Sequence, residues 1–145
     1  MTRKKVIIII VTVLALLAVS FAGVYCWQSF VKKSFDFTNA DSVSICDIDG
    51  GHLTELKDTD KAFAEKFCSA KNAVIDKFEL PACFFDTVKI TIVKNGKTYF
   101  IYPSSDECNN LKIDFNGKTY YGSMAESMDT FKELLDRNSI PWYWD

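Results

Sequence analysis

The feature that most constrains this chain is an uncharged run of 22 residues, Val6 to Trp27, behind a basic tip of Arg3, Lys4 and Lys5. As a helix rising about 1.5 Å per residue it would reach roughly 33 Å, enough for a hydrocarbon core about 30 Å thick. Tyr25 and Trp27 stand at its far end, where aromatic rings favour the membrane–water boundary. The basic tip favours a cytoplasmic N-terminus, although Lys32 and Lys33 beyond the run reduce the asymmetry. A cleavable signal peptide competes with this reading, since Ser20 and Ala22 supply small residues before a cut at Gly23. The run exceeds the roughly 7–15 apolar residues of a signal-peptide core, so an uncleaved anchor is expected. Lipid attachment at Cys26 is disfavoured by the bulky Tyr25 before it. On each reading the chain after Lys33 lies outside the cytoplasm, held at the cell membrane or secreted after cleavage near Ala22.

Charge is unevenly divided. Of 17 basic residues five precede Ser34, and none of the 19 acidic ones does, which leaves 12 against 19 beyond it, a balance of −7. Such a segment has no general attraction for nucleic acid or anionic lipid. Residues 1–33 are thus expected to form the tip and anchor, with the span at about 6–27, and the polar stretch 34–42 a tether. Residues 43–145, about a hundred in number, suit one small domain with its own core.

Within that domain, Val43 to Ile48 alternates as a strand does, and Asp49-Gly50-Gly51 supplies turn chemistry before a short return strand over His52 to Leu56. A helix capped by Asp58 or Thr59 should carry Ala62, Phe63, Lys66, Phe67 and Ala70, continuing toward Val74 or Phe78 until Pro81 stops it. "KITIVKNGKTYF" and "KIDFNGKTYY" then echo each other. Asn-Gly between β-favouring runs accepts positive φ at both turn positions and predicts two hairpins, with strands over 87–94, 97–102, 111–115 and 118–122. Ile90, Ile92, Tyr99 and Ile101 fall on one face of the first, and Ile113, Phe115 and Tyr120 on one face of the second. Ser123-x-x-Glu126 has the capping-box pattern, followed by a stripe of Met124, Met128, Phe131, Leu134 and Leu135. The order β(β)-α-β-β-β-β-α predicts an α+β domain with both helices on one face of an antiparallel sheet. That element order is similar to the TBP-like folds that set helices on a curved sheet.

"ICDIDGGH", Ile45 to His52, resembles the first motif of haloacid dehalogenase-type phosphatases. The resemblance implies Asp47 as nucleophile and Asp49 as acid and base beside magnesium. The chain departs from that family at Gly51, where its usual Thr is missing. It departs again downstream, with hairpins, no paired aspartates, and too few residues for a parallel, helix-covered sheet. A calcium loop fits no better, because Gly50 comes too early and Leu56 stands where a bidentate Glu belongs. The stretch is read as a strand closing in a turn. His52 is the only histidine, which excludes a His-rich metal site and a Ser-His-Asp relay with a base to spare. No catalytic, cofactor-binding or metal-ligating residue is assigned, and no enzyme is expected.

Cys26 belongs to the anchor. Cys46, Cys68, Cys83 and Cys108 remain, without the C-x-x-C spacing of zinc or redox motifs, and free buried thiols are one reading of them. Disulfides are the other. With Asn95-Gly96 as a two-residue turn, Lys94 faces Lys97, and Cys83 and Cys108 keep the same sum of residue numbers, which makes them a candidate disulfide. Pro103 lacks an N–H and should break the ladder before that point. Cys46–Cys68 is a second pairing to consider. The closing "IPWYWD" puts Trp142, Tyr143 and Trp144 in a row, either packed back on the domain or offered to a partner. The expected function is a single-pass, membrane-anchored, extracytoplasmic binding module for an envelope protein or peptide. Its alternatives are a tethered hydrolase using Asp47 and Asp49, and a small inhibitor or immunity-type envelope protein.

Overall fold

The computed structural model describes residues 3–47, 53–76, 81–85, 88–106 and 108–141. The chain divides into two units, residues 1–32 and 33–145.

The first unit is dominated by a helix, α1 (Arg3–Val31), whose Arg3–Trp27 stretch has a mean hydropathy of 2.9 and no buried residue. By length and composition this helix can cross a membrane or serve as a signal anchor. Two of its hydroxyls are satisfied locally, as suits an apolar medium: Thr12 Oγ1 donates to the Ile8 carbonyl and Ser20 Oγ to the Leu16 carbonyl, each at 2.9 Å.

The second unit is α+β. Its strands are β1 (Lys32–Phe35), β2 (Ser42–Asp47), β3 (Leu53–Glu55), β4 (Ala70–Ile75), β5 (Val88–Lys94), β6 (Lys97–Pro103), β7 (Asn110–Phe115) and β8 (Lys118–Ser123), and its helices are α2 (Asp58–Cys68) and α3 (Met128–Arg137). The strands form one sheet in the order β1-β4-β8-β7-β6-β5-β2-β3. Both Asn-Gly pairs turn as expected, with φ of 53° and 68° at Asn95 and Gly96 and of 51° and 70° at Asn116 and Gly117. The first hairpin has the predicted register, from Lys94 opposite Lys97 to Ile90 opposite Ile101.

Register places one continuous row of side chains across six strands: Ile45, Ile90, Ile101, Ile113, Tyr120 and Ile75, each opposite the next. All six are buried, and Val43, Ile92, Leu111 and Phe115 flank them. The two helices bury Ala64, Phe67, Phe131, Leu134 and Leu135. They are joined by a stack of Phe67 on Phe131, with ring centres 4.4 Å apart and planes 6° from parallel. Asp60 ties their ends, accepting from Arg137 Nη2 and Asn138 Nδ2 at 2.9 Å each.

Three sequence expectations are corrected. Residues 34–42 are no loose tether: β1 joins the sheet, Phe35 and Phe37 are buried, and the Lys33 ammonium lies 5.3 Å from the Phe35 ring centre and 4.3 Å from that of Phe115. Phe35 meets Tyr120 and Phe37 meets Tyr99 edge to face. Glu65, buried on α2, anchors this strap by accepting from the Asn39 and Ala40 amides at 3.0 and 2.9 Å. Secondly, α2 does not run on toward Val74. Ser69 Oγ bonds back to the Glu65 carbonyl at 2.7 Å, and the chain leaves as β4, whose Ala70 and Ala73 sit against Gly122. Thirdly, the capping residue of α3 is Ser127, which accepts from the Thr130 amide, while Ser123 closes β8 and Glu126 pairs with Lys66.

Two substitutions test this packing in the full chain held in detergent micelles, by urea denaturation. Glu65→Ala removes the carboxylate that accepts from the Asn39 amide and one of the two acceptors of the Ala40 amide, which keeps the Phe37 carbonyl, and should cost about 1–3 kcal/mol. At Gly122 an added Cβ would stand 2.8 Å from the Ala70 Cβ and 3.1 Å from that of Ala73, so Gly122→Ala should cost about 1–3 kcal/mol through overpacking. A midpoint unchanged in either variant would contradict the contact concerned.

Candidate functional site

Pro103 ends β6, and the link to β7 closes on itself. Ser104 is fully buried; its amide donates to the Asn110 carbonyl at 2.9 Å and its hydroxyl accepts from the Asn110 amide at 3.1 Å. Residues 83–85 are hydrogen-bonded to this link. The Ser105 amide donates to the Phe84 carbonyl at 2.8 Å, and the Phe84 amide to Asp106 Oδ2 at 3.4 Å. Asp106 Oδ1 also accepts from the Cys108 amide at 3.2 Å, an Asx-type turn that folds the link back on the carboxylate.

This local pattern gathers three reactive groups into one corner. The Sγ atoms of Cys83 and Cys108 and a carboxylate oxygen of Asp106 all lie within 4.8 Å of one another. Asn110 Nδ2 donates to the Cys83 sulfur at 3.4 Å. Both thiols are free; Cys83 is half-buried and Cys108 exposed. The Cys108 thiol is pushed up to about 12, first by its hydrogen bonds to Cys83 and Asp106, then by desolvation and the nearby negative charge. For Asp106, desolvation opposes ionisation, but hydrogen bonds from Cys108 and from the Phe84 amide outweigh it and hold the carboxyl below its ordinary value. Two sulfurs and a carboxylate oxygen are also donors that a zinc-like ion accepts. An open groove of about 620 Å³, lined by Asp106, Asn109, Ser127, Asp129 and Lys132 among others, adjoins the corner.

The second candidate surface is the sheet face away from the core. On it Leu53, Cys46 and Lys89 stand in line across β3, β2 and β5, and Tyr102, Lys112, Tyr121 and Val74 across β6, β7, β8 and β4. Most are half-buried, Leu53 is 73% exposed and Cys46 alone is buried. Lysines lie over rings here, with Lys112 Nζ 4.8 Å from the Tyr102 centre and Lys89 Nζ 5.8 Å from that of Phe100. Asp114 accepts from Thr119 Oγ1 at 2.6 Å, and with Phe100 and Thr98 it lines an open groove of about 410 Å³. Burial raises the Tyr102 and Tyr121 hydroxyls above their ordinary values, as does the Asp114 charge near both. Phe85 packs on Tyr121 at 5.7 Å, whereas the neighbouring Phe84 is 70% exposed.

Of the residues singled out in the sequence, Cys83 and Cys108 are brought together, though not by a continued hairpin. The ladder ends at Ile90 opposite Ile101, and the Ser105–Phe84 bond is out of its register. Asp106 was missed, although an Asp two residues before a Cys in a Ser-, Asp- and Asn-rich connection is a turn signal. Asp47 ends β2 opposite Val88. Asp49, His52, Trp142, Tyr143 and Trp144 lie outside the described residues. Cys46 faces the open side of the sheet, while Cys68 is buried on α2 with its thiol pushed up by desolvation, so the two do not face each other. Comparison with protein-family models, curated proteins and solved structures finds no match.

The Cys108 thiol is held protonated first by its hydrogen bond to Cys83 and next by that to Asp106, so removing the Asp106 charge should ease its ionisation. In the fully reduced protein at pH 8, Asp106→Asn should increase the rate of iodoacetamide labelling at Cys108 severalfold, read by peptide mass spectrometry. An unchanged or slower rate would remove Asp106 from control of that thiol.

Proposed function

We propose that this chain is a membrane-anchored binding module whose α+β domain lies outside the cytoplasm and docks an envelope protein or peptide on the open sheet face. The observation that carries the reading is the composition of that face. Aromatic rings and lysines interleave on the sheet face opposite the one that α2 and α3 cover, and aromatic groups contribute disproportionately to protein interfaces. The apolar helix and its basic N-terminal tip support the orientation. The lysine stems give apolar area and their heads give directional contacts, which suits a partner presenting both apolar and carboxylate groups.

Topology and docking can be read in one preparation. In intact spheroplasts, protease added outside should remove the domain, while the undigested protein sediments with membranes. Digestion only after lysis would reverse the orientation, and a soluble domain beginning at Gly23 would identify a cleaved leader. A photo-crosslinking residue at Phe100 should give a discrete adduct that Lys112→Glu abolishes, whereas one at Glu133 on α3 should give none. Equal adducts at the two positions would remove the open face as the docking surface.

A further inference from the structure

We infer that Cys83 and Cys108 are a disulfide-forming pair whose closure staples residues 83–85 to the β6–β7 link and fixes Phe84 beside the open sheet face. The inference rests on the extracytoplasmic reading for its oxidant, and on the structure for its geometry.

The two sulfurs already share a corner with Asp106, so the bond requires no rearrangement of elements. Four hydrogen bonds tie the same two segments together: Ser105 amide and hydroxyl to the Phe84 carbonyl, the Phe84 amide to Asp106, and Asn110 Nδ2 to the Cys83 sulfur. Exchange needs an incoming disulfide, and the exposure of Cys108 makes it the point of entry. The Cys108 thiol loses its proton and attacks one sulfur of an external disulfide, a small-molecule or protein disulfide oxidant of the envelope, releasing one thiol. The Cys83 thiol, deprotonated in turn, then attacks the Cys108 sulfur and expels the second thiol. Two protein thiols and one external disulfide thus become one protein disulfide and two external thiols.

Three observations separate this pair from the other cysteines. Cys68 is fully buried, which leaves an external disulfide no access to its sulfur, whereas Cys108 is exposed. Cys46 is buried on the far side of the sheet from α2. Cys26 lies within the apolar span of α1. Closure also has a structural consequence. Phe85 is packed on Tyr121 while Phe84 projects into solvent, so fixing their shared backbone presents one ring and buries the other. Reduction would leave that segment held by its hydrogen bonds and the Phe85–Tyr121 contact alone.

The test uses full-length protein taken from its native membrane, with free thiols trapped by N-ethylmaleimide before lysis. Proteolysis without reductant should yield a peptide pair joined through Cys83 and Cys108, about 2 Da lighter than its reduced parts. Dithiothreitol should then lower the melting temperature by roughly 10 °C, as expected for opening a loop of this length. Reductant should have no effect on the Cys83→Ser/Cys108→Ser double variant. Both thiols found alkylated would overturn the inference. So would zinc retained stoichiometrically by both cysteines in native mass spectrometry, which would make the corner a metal site instead. Protease accessibility in the same spheroplasts separates the two readings: free thiols on an accessible domain overturn the disulfide alone, and a disulfide on a protected domain overturns the topology alone.

Discussion

The row Ile45, Ile90, Ile101, Ile113, Tyr120 and Ile75 is the constraint to which the rest of the domain answers. Alternation along a strand has a period of two, so a slip of one residue anywhere in these six strands would turn that strand's apolar side chains toward water. The two Asn-Gly turns pin the register locally, with positive φ at all four turn residues. Burying the row is the harder problem. Eight strands at about 4.8 Å spacing make a sheet roughly 34 Å wide, and two packed helices of about 10–12 Å diameter cover little more than half of it. The Phe67–Phe131 stack locks the two helices into one cover. The remainder of the core face is closed by the strap of residues 33–37, which sets Phe35 and Phe37 against Tyr99, Phe115 and Tyr120, with Lys33 over the cluster.

This division explains what could be read in the sequence. Signals with a single local cause were legible: the Asn-Gly hairpins, the alternation of Ile90 and Ile92, and the stripe of Phe131, Leu134 and Leu135. The strap was not, because Phe35 and Phe37 sit among Lys, Ser, Asp and Thr, and only the partly uncovered sheet gives them somewhere to go. Strand β4 was hidden for a related reason. Ala70 and Ala73 suit a helix by propensity, yet here their small size is needed against Gly122, a distant glycine. The capping residue of α3 was misplaced because Ser123-x-x-Glu126 carries a capping-box pattern four residues upstream of the true cap, Ser127. What decided between them was that β8 claims Ser123 and Lys66 claims Glu126.

The cysteine corner has the same mixture. Constant-sum register led from one turn to Cys83 and Cys108, but the ladder does not extend that far. The cysteines meet because the 81–85 segment lies back on the β6–β7 link through its own hydrogen bonds. Asp106 enters through an Asx turn two residues before Cys108, a short-range device with no long-range signature. The open face was implicit in the alternation, since every strand that buries one set of side chains presents the other. Nothing local announced that lysines would come to lie over rings there, because each pair joins two strands.

The edges of the sheet bear on where such a domain can be recognised. Both edge strands are short: β1 spans four residues and carries Lys32 and Lys33, and β3 spans three and ends at Glu55. Short, charged edges oppose strand addition, the commonest way for a sheet to capture a peptide through its backbone. The core face is filled by helices and strap. For the proposed binding role two broad surfaces are therefore left among the described residues, the helix exterior and the open sheet face. The helix exterior is polar, with Lys66, Glu133, Asp136 and Arg137 outward, whereas the open face interleaves Phe100, Tyr102 and Tyr121 with Lys89 and Lys112. Desolvating rings whose edges already rest on neighbouring strands costs less than desolvating mobile charged side chains, and ring burial returns more per unit area. The proposed docking therefore belongs on the sheet, at the end where Phe84 stands beside Phe85 and Tyr121.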